Sequence, residues 1–220
     1  MSASRSAGGP AAPPRLDLYW IPLGAGARVV RINGKIYERI VALRQRRQPR
    51  DLYHSALVAS TGGDRFVIEM TPIPNSPEPS ERGIVAEGPV GTRWLGRFRL
   101  FRYEIRRWRN GVIPDIGYAV GSVTVTDDAA AIEQVLDLLP LVPTPVWGRD
   151  ELQAGDMWNS NSVVSWALTR ARLTSTAIRP PDNGRAPGWD AGVLAATRGL
   201  TVTGGGGRRS GSRRLRPIGG

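Results

Sequence analysis

His54 is the only histidine in a chain without cysteine, so imidazole or activated-nucleophile chemistry near neutral pH has to be organised around it. It lies in Tyr53-His54-Ser55-Ala56-Leu57-Val58, a run that reads as a strand. A Gly62-Gly63-Asp64 turn follows, then a second strand in Arg65-Phe66-Val67-Ile68-Glu69-Met70, and the pair predicts an antiparallel hairpin. A hairpin turning near residue 62 places Glu69 almost opposite His54. A carboxylate there would orient the imidazole, select its tautomer and stabilise the imidazolium. The third feature is Asn159-Ser160-Asn161-Ser162, which leads into a helical pattern. A hydroxyl at that point sits near backbone N–H groups and the positive end of the helix dipole, which favour charge on a nucleophile or an oxyanion. The catalytic candidates are therefore His54 as base, Glu69 as its orienting group and Ser162 as nucleophile. Ser160 is the alternative nucleophile, and Asn159 and Asn161 are candidate oxyanion donors. Each also has a plain structural reading: a hydrogen-bonded strand histidine, a glutamate paired with an arginine, and a set of helix caps.

Taken together, these residues resemble the circularly permuted papain-like families, which include lecithin–retinol acyltransferase-like and permuted NlpC-like proteins. In that pattern a histidine opens one strand, a polar residue sits on the next, and an Asn-Cys step begins a later helix. His54 of YHSALV takes the first position and Glu69 of FVIEM the second, while Asn161-Ser162-Val163-Val164-Ser165-Trp166 matches the helix step. The resemblance covers residues 50–70 and 157–170. It implies a permuted papain-like fold with hydrolase or acyl-transfer ancestry, acting on an amide or ester of a small-molecule, peptide or lipid substrate. Serine stands where the family has cysteine, and a hydroxyl is a far weaker nucleophile than a thiolate. Two readings follow from the resemblance, a Ser-His-Glu hydrolase or a catalytically inactive binding module on the same fold.

Positioning those residues requires a folded core, and a chain of 220 residues with 40% hydrophobic residues and seven Trp can build one. Residues 1–15 form a Pro/Gly/Ala leader and 197–220 a Gly/Arg-rich tail, both expected to be disordered, with a single domain over 16–196 between them. The formal charge of +11 is concentrated at the ends. Six Arg after residue 196 and two before residue 16 account for eight of those charges, leaving +3 for the domain. The third functional reading, binding to nucleic acid or an anionic surface, accordingly rests on the tail and on the Arg-rich stretch around residues 93–109. Within that reading, the part that could take nucleic acid is the tail alone. In that stretch Phe98 and Leu100 alternate with Arg97 and Arg99, after which the phase slips. The alternation predicts a bulged strand over 97–107 with its apolar face on the core.

Elsewhere, the pattern predicts a helix over Lys35–Arg47, a short extended piece near 84–91, a helix ending at Pro140, and a helix after Asn159. Residues 178–193 read as an irregular closing loop in which Trp189 could line a cleft. The sum is an α+β fold with helices packed on an antiparallel sheet. No apolar run reaches the roughly 18 residues of a spanning helix, and the first residues lack the apolar stretch of a signal peptide, so a cytoplasmic location is expected. There is no phosphate-binding loop, and the Gly24-Ala25-Gly26 step lacks the rest of a dinucleotide fingerprint. With one His and no Cys, neither a metal site nor a cofactor is expected.

Overall fold

The computed structural model describes residues 12–24, 38, 42–43, 46–73, 83–113, 115–174 and 178–201. Six strands form one sheet: β1 (Arg15–Pro22), β2 (Tyr53–Thr61), β3 (Asp64–Pro72), β4 (Ile84–Pro89), β5 (Arg102–Arg109) and β6 (Gly121–Thr126). Every neighbouring pair is antiparallel, in the order β4-β5-β3-β2-β1-β6. Among the described residues three α-helices follow the sheet strands, α1 (Ala129–Leu138), α2 (Ser160–Arg170) and α3 (Trp189–Thr197). The expected α+β class with an antiparallel sheet is what forms.

Alternation along the strands gives the sheet two faces of different character. Leu16, Leu18, Leu57, Ile68, Tyr103 and Ile105 point to one side and make the main core with Ile132 and Val135 of α1, Val163, Val164 and Trp166 of α2, and Ala195 of α3. On the opposite side Ile21, Ala56, Val58 and Val67 form a smaller cluster, covered by Ile113 with Trp108, Ile116 and Ala119 packed against it. His54 alternates with Ser55 on β2, so its side chain belongs to this second face, away from the helices.

The hairpin predicted from Gly62-Gly63 is present, with Leu57 paired to Ile68 and Thr61 to Asp64. Its register is two residues away from the one that would set His54 against Glu69. Carried onward, it puts Ala56 opposite Glu69 and His54 one step further along the same face. α1 starts as its acidic residues predict, with the Asp128 carboxylate accepting from Ala130 N at 2.9 Å. Of the helix predicted over Lys35–Arg47, Glu38, Ala42 and Leu43 are helical; most of the rest of that stretch lies outside the described residues.

Two expectations are overturned. The bulged strand over 97–107 is a strand only from Arg102; Leu95–Arg97 and Arg99–Phe101 are short 3-10 turns. Arg/apolar alternation makes a strand only beside a partner, and here the partner leaves. β4 pairs up to Pro89 with Arg102, Val90 N donates to Phe101 O at 2.8 Å, and Gly91 then turns away to Trp147 O. Phe98 and Leu100 are exposed rather than facing the core. The closing loop after Ile178 contains a complete helix, α3, hidden by the density of Pro and Gly before it. β6, whose Val-Thr-Val-Thr alternation is a legible strand signal, extends the sheet beyond β1.

Candidate functional site

The motif that looked most like chemistry, Asn159 to Ser165, is a structural clasp. Asn159 caps α2 as its sequence predicts: its carboxamide accepts from Asn161 N at 2.9 Å, and its own N–H donates to the Ser162 hydroxyl at 3.0 Å, completing a capping box. The side chains of the first turn then hold three consecutive carbonyls ahead of and inside α3. Asn159 Nδ2 and Asn161 Nδ2 each donate to Pro187 O at 2.8 Å. Ser162 Oγ donates to Gly188 O and Ser165 Oγ to Trp189 O, both at 2.7 Å. Asn161 also reaches the sheet, donating to Tyr53 O at 3.0 Å and accepting from Ser55 Oγ at 2.8 Å. From the other side, Asp156 accepts from Gly188 N at 2.5 Å, and Gly188 takes φ of 86°, a left-handed value suited to glycine.

This settles the placement of Ser162. It is wholly buried, its hydroxyl proton is engaged by the Gly188 carbonyl and its oxygen by the Asn159 N–H. Asn161 is buried with both amide hydrogens committed to backbone carbonyls. The nucleophile and oxyanion roles considered for Ser162, Asn159 and Asn161 therefore meet side chains already occupied in holding α2, α3 and β2 together. Trp189, expected to line a cleft, instead packs on Trp20 with ring centroids 5.3 Å apart.

Three of the expected site residues do come together. A pocket of about 170 Å³ is lined by His54, Glu69, Ser160, Thr71 and Asp115, with Ile113 among its apolar walls. It opens at the end of the sheet where β2 begins and β3 ends, beside the first residue of α2. Ser160 is partly exposed there, unlike Ser162. The Glu69 carboxylate accepts from Arg106 Nη1 at 3.0 Å, across the β3–β5 rung that pairs the two residues. Arg106 is itself buried and also hydrogen-bonds Glu104, so Glu69 belongs to an ion-paired network rather than being a carboxylate aimed at the imidazole. Among the described residues none hydrogen-bonds the His54 ring. Asp115 is the residue that sequence reasoning missed. It comes from the segment between β5 and β6, whose Ile-Pro-Asp-Ile carries no catalytic signal, and only the folding of that segment over the second face brings it to His54.

Burial lowers the His54 pKa from its ordinary value, with the negative charge of Asp115 pulling weakly the other way. Burial raises the Glu69 carboxyl, opposed by Arg106. The imidazole is therefore neutral at pH 7, acceptor at one nitrogen and donor at the other. As pH falls below about 6.5, the unfolded chain takes up a proton that the folded state resists, so His54 contributes stability at neutral pH that is lost on acidification. Glu69 and Asp156, both raised by burial, act in the opposite sense in their own range. The readout is thus the difference between proteins: His54→Gln is expected to flatten the loss of stability below pH 6.5, measured by urea denaturation across pH. An unchanged slope would show that His54 titrates normally.

Among the described residues no group of three or more His, Asp or Glu side chains could hold a metal ion. Nor is any helix among them long and apolar enough to cross a membrane. Set against known families, curated proteins and solved structures, the chain has no match to a family model, to a curated protein or to a solved structure.

Proposed function

We propose that the His54 pocket is a recognition site for a small, hydrogen-bond-donating polar group, on a permuted papain-like scaffold whose nucleophile position has become structural. The observation that carries this reading is the burial of Ser162, with its proton donated to Gly188 O at 2.7 Å. A hydroxyl so held cannot approach a carbonyl carbon without breaking the clasp. What remains at the pocket is acceptor-rich: a neutral imidazole nitrogen, the Asp115 and Glu69 carboxylates and the hydroxyls of Ser160 and Thr71. At about 170 Å³ it has room for an amide, amine or polyol group rather than an acyl chain. His54 and Asp115 would accept from the ligand, and the Arg106 pairing would keep Glu69 from flooding the pocket with uncompensated charge.

A second reading has its own support in Ser160, which shares the pocket with His54. There Ser160 Oγ would attack an ester or amide carbonyl as His54 takes its proton. His54 would then protonate the departing alcohol or amine, and water would hydrolyse the acyl-serine with the same base. Pocket hydrogen bonds that are loose in an empty site can tighten when substrate binds, which is what this route requires.

One histidine makes the test simple, since the His54 ring is a unique NMR probe. Fragments carrying amides, amines or polyols are expected to shift its ring resonances in wild type. A fluorogenic ester and amide panel should show no turnover above that of His54→Ala, and a fluorophosphonate probe should leave Ser162 unlabelled. Turnover or labelling that disappears in both His54→Ala and Ser160→Ala would replace the binding reading with the hydrolytic one. Ring resonances indifferent to every fragment, with no turnover, would remove both.

A further inference from the structure

The turn that leads into β5 carries the most conspicuous apolar exposure of the described residues. Trp94 is 60% exposed, Phe98 48%, Leu100 73% and Phe101 37%. A single exposed hydrophobic residue is ordinary, but four within eight positions on one loop form a patch. The same stretch, Thr92 to Arg102, contains four arginines and no acidic residue. Its two 3-10 turns have no buried residues, so the patch is not a core displaced from its partner. Beneath it a pocket of about 240 Å³ is lined by Arg97, Arg99, Arg102, Ile73, Ile84 and Glu87, with the buried Glu104 at its floor. Glu87 holds Arg102 at 2.8 Å, and Glu151 holds Arg93 at 2.8 Å, at the two ends of the loop.

We propose that this loop docks the protein on an anionic lipid bilayer. Trp94, Phe98 and Leu100 enter the interfacial layer, and the arginines beside them meet lipid phosphates. Aromatic and aliphatic side chains projecting beside guanidinium groups match an interface that is apolar below and negatively charged above. A single-stranded nucleic acid is the other polyanion to consider, and the side-chain geometry disfavours it. Base stacking needs open aromatic faces, yet Arg97 lies over the Trp94 ring at 4.5 Å and Phe98 meets that ring edge-on at 5.8 Å. Leu100, the most exposed of the four, offers no stacking surface at all. The loop lies at the same end of the sheet as the His54 pocket, since Arg102 opens β5 beside Pro89 and β2 opens at Tyr53. Docking would turn that pocket toward the membrane, but it stands independently of what the pocket binds.

The test is vesicle flotation with the full chain, on phosphatidylcholine alone and with about 30 mol % phosphatidylglycerol. Wild type is expected to partition to the anionic vesicles at least ~10-fold more strongly. The arginine-rich termini can also attract anionic lipid, so the deciding protein is the triple variant Trp94→Ser, Phe98→Ser, Leu100→Ser, which leaves every arginine in place. Because these side chains are exposed, its melting temperature should stay within about 2 °C of wild type. Its partitioning should nevertheless fall about tenfold or more. Arg97→Gln should reduce the preference for anionic over neutral lipid. The proposal fails if the triple variant floats like wild type, or if wild type ignores both vesicles. It also fails if the substitutions abolish oligonucleotide binding or self-association while leaving vesicle binding unchanged.

Discussion

Asn161→Ala is expected to destabilise the protein by about 3 kcal/mol, a fall in Tm on the order of 10 °C for a chain of this size. The side chain is buried and makes three hydrogen bonds that join three separate parts of the chain: Tyr53 and Ser55 on β2, α2 itself, and Pro187 ahead of α3. Alanine removes all three and leaves the Ser55 hydroxyl and the Tyr53 carbonyl to find other partners inside the core. An unsatisfied buried polar group costs about 1–3 kcal/mol, and the loss compares with a total stability of roughly 5–15 kcal/mol. Asn159→Ala is the internal comparison. It loses a cap and one of the two donors to Pro187 O, and should cost only about 1 kcal/mol. Both values come from urea denaturation with matched slopes. Equal, small losses would mean that Asn161 is not the keystone of the clasp.

The second large effect is expected from Gly192→Ala. Alanine is the better helix former by about 1 kcal/mol, so at an exposed site of α3 the change would stabilise. At Gly192 a Cβ would lie 2.1 Å from the Ser162 carbonyl oxygen and 2.1 Å from Ser165 Oγ. The first of these is backbone and cannot rotate away, so α2 and α3 must separate. Separation in turn lengthens the Ser162–Gly188 and Ser165–Trp189 hydrogen bonds. A net loss of about 2–4 kcal/mol is expected, opposite in sign to the propensity change. The measurement is the denaturation midpoint of Gly192→Ala against an alanine substitution at Asp190, exposed on the same helix. A stabilised Gly192→Ala protein would show that the two helices are not in close contact.

Both expectations change the meaning of the motif. Asn159-Ser160-Asn161-Ser162 was legible as a helix start, because Asn and Ser cap helices through short side chains that reach the first backbone N–H groups. It was equally legible as a nucleophile site, because the same short polar groups at a helix N-terminus suit an oxyanion. Local sequence does not separate these, since what distinguishes them is the partner. Ser162 and Asn161 find theirs in Pro187 and Gly188, some 26 residues later. The partner segment itself has the sequence of a loop, for its prolines and glycines mask a helix whose one interior glycine answers a close contact rather than a turn.

The strand Arg/apolar alternation after Arg97 failed for a related reason. Period-two patterning states which side chains share a face, but the face exists only while another strand supplies the ladder, and β4 turns aside at Gly91. The amino-acid order alone determined the β2–β3 hairpin, the caps of α1 and α2, the α+β class and the concentration of positive charge toward the ends of the sequence, because turns, caps and composition act within a few residues. Tertiary structure alone decided that His54 faces away from Ser162, that Ser160 and Asp115 join it, that Glu69 belongs to Arg106, and that Phe98 and Leu100 meet solvent. Each of these depends on register, or on a segment returning from far along the chain, and neither is encoded in the residues at the spot where the effect appears.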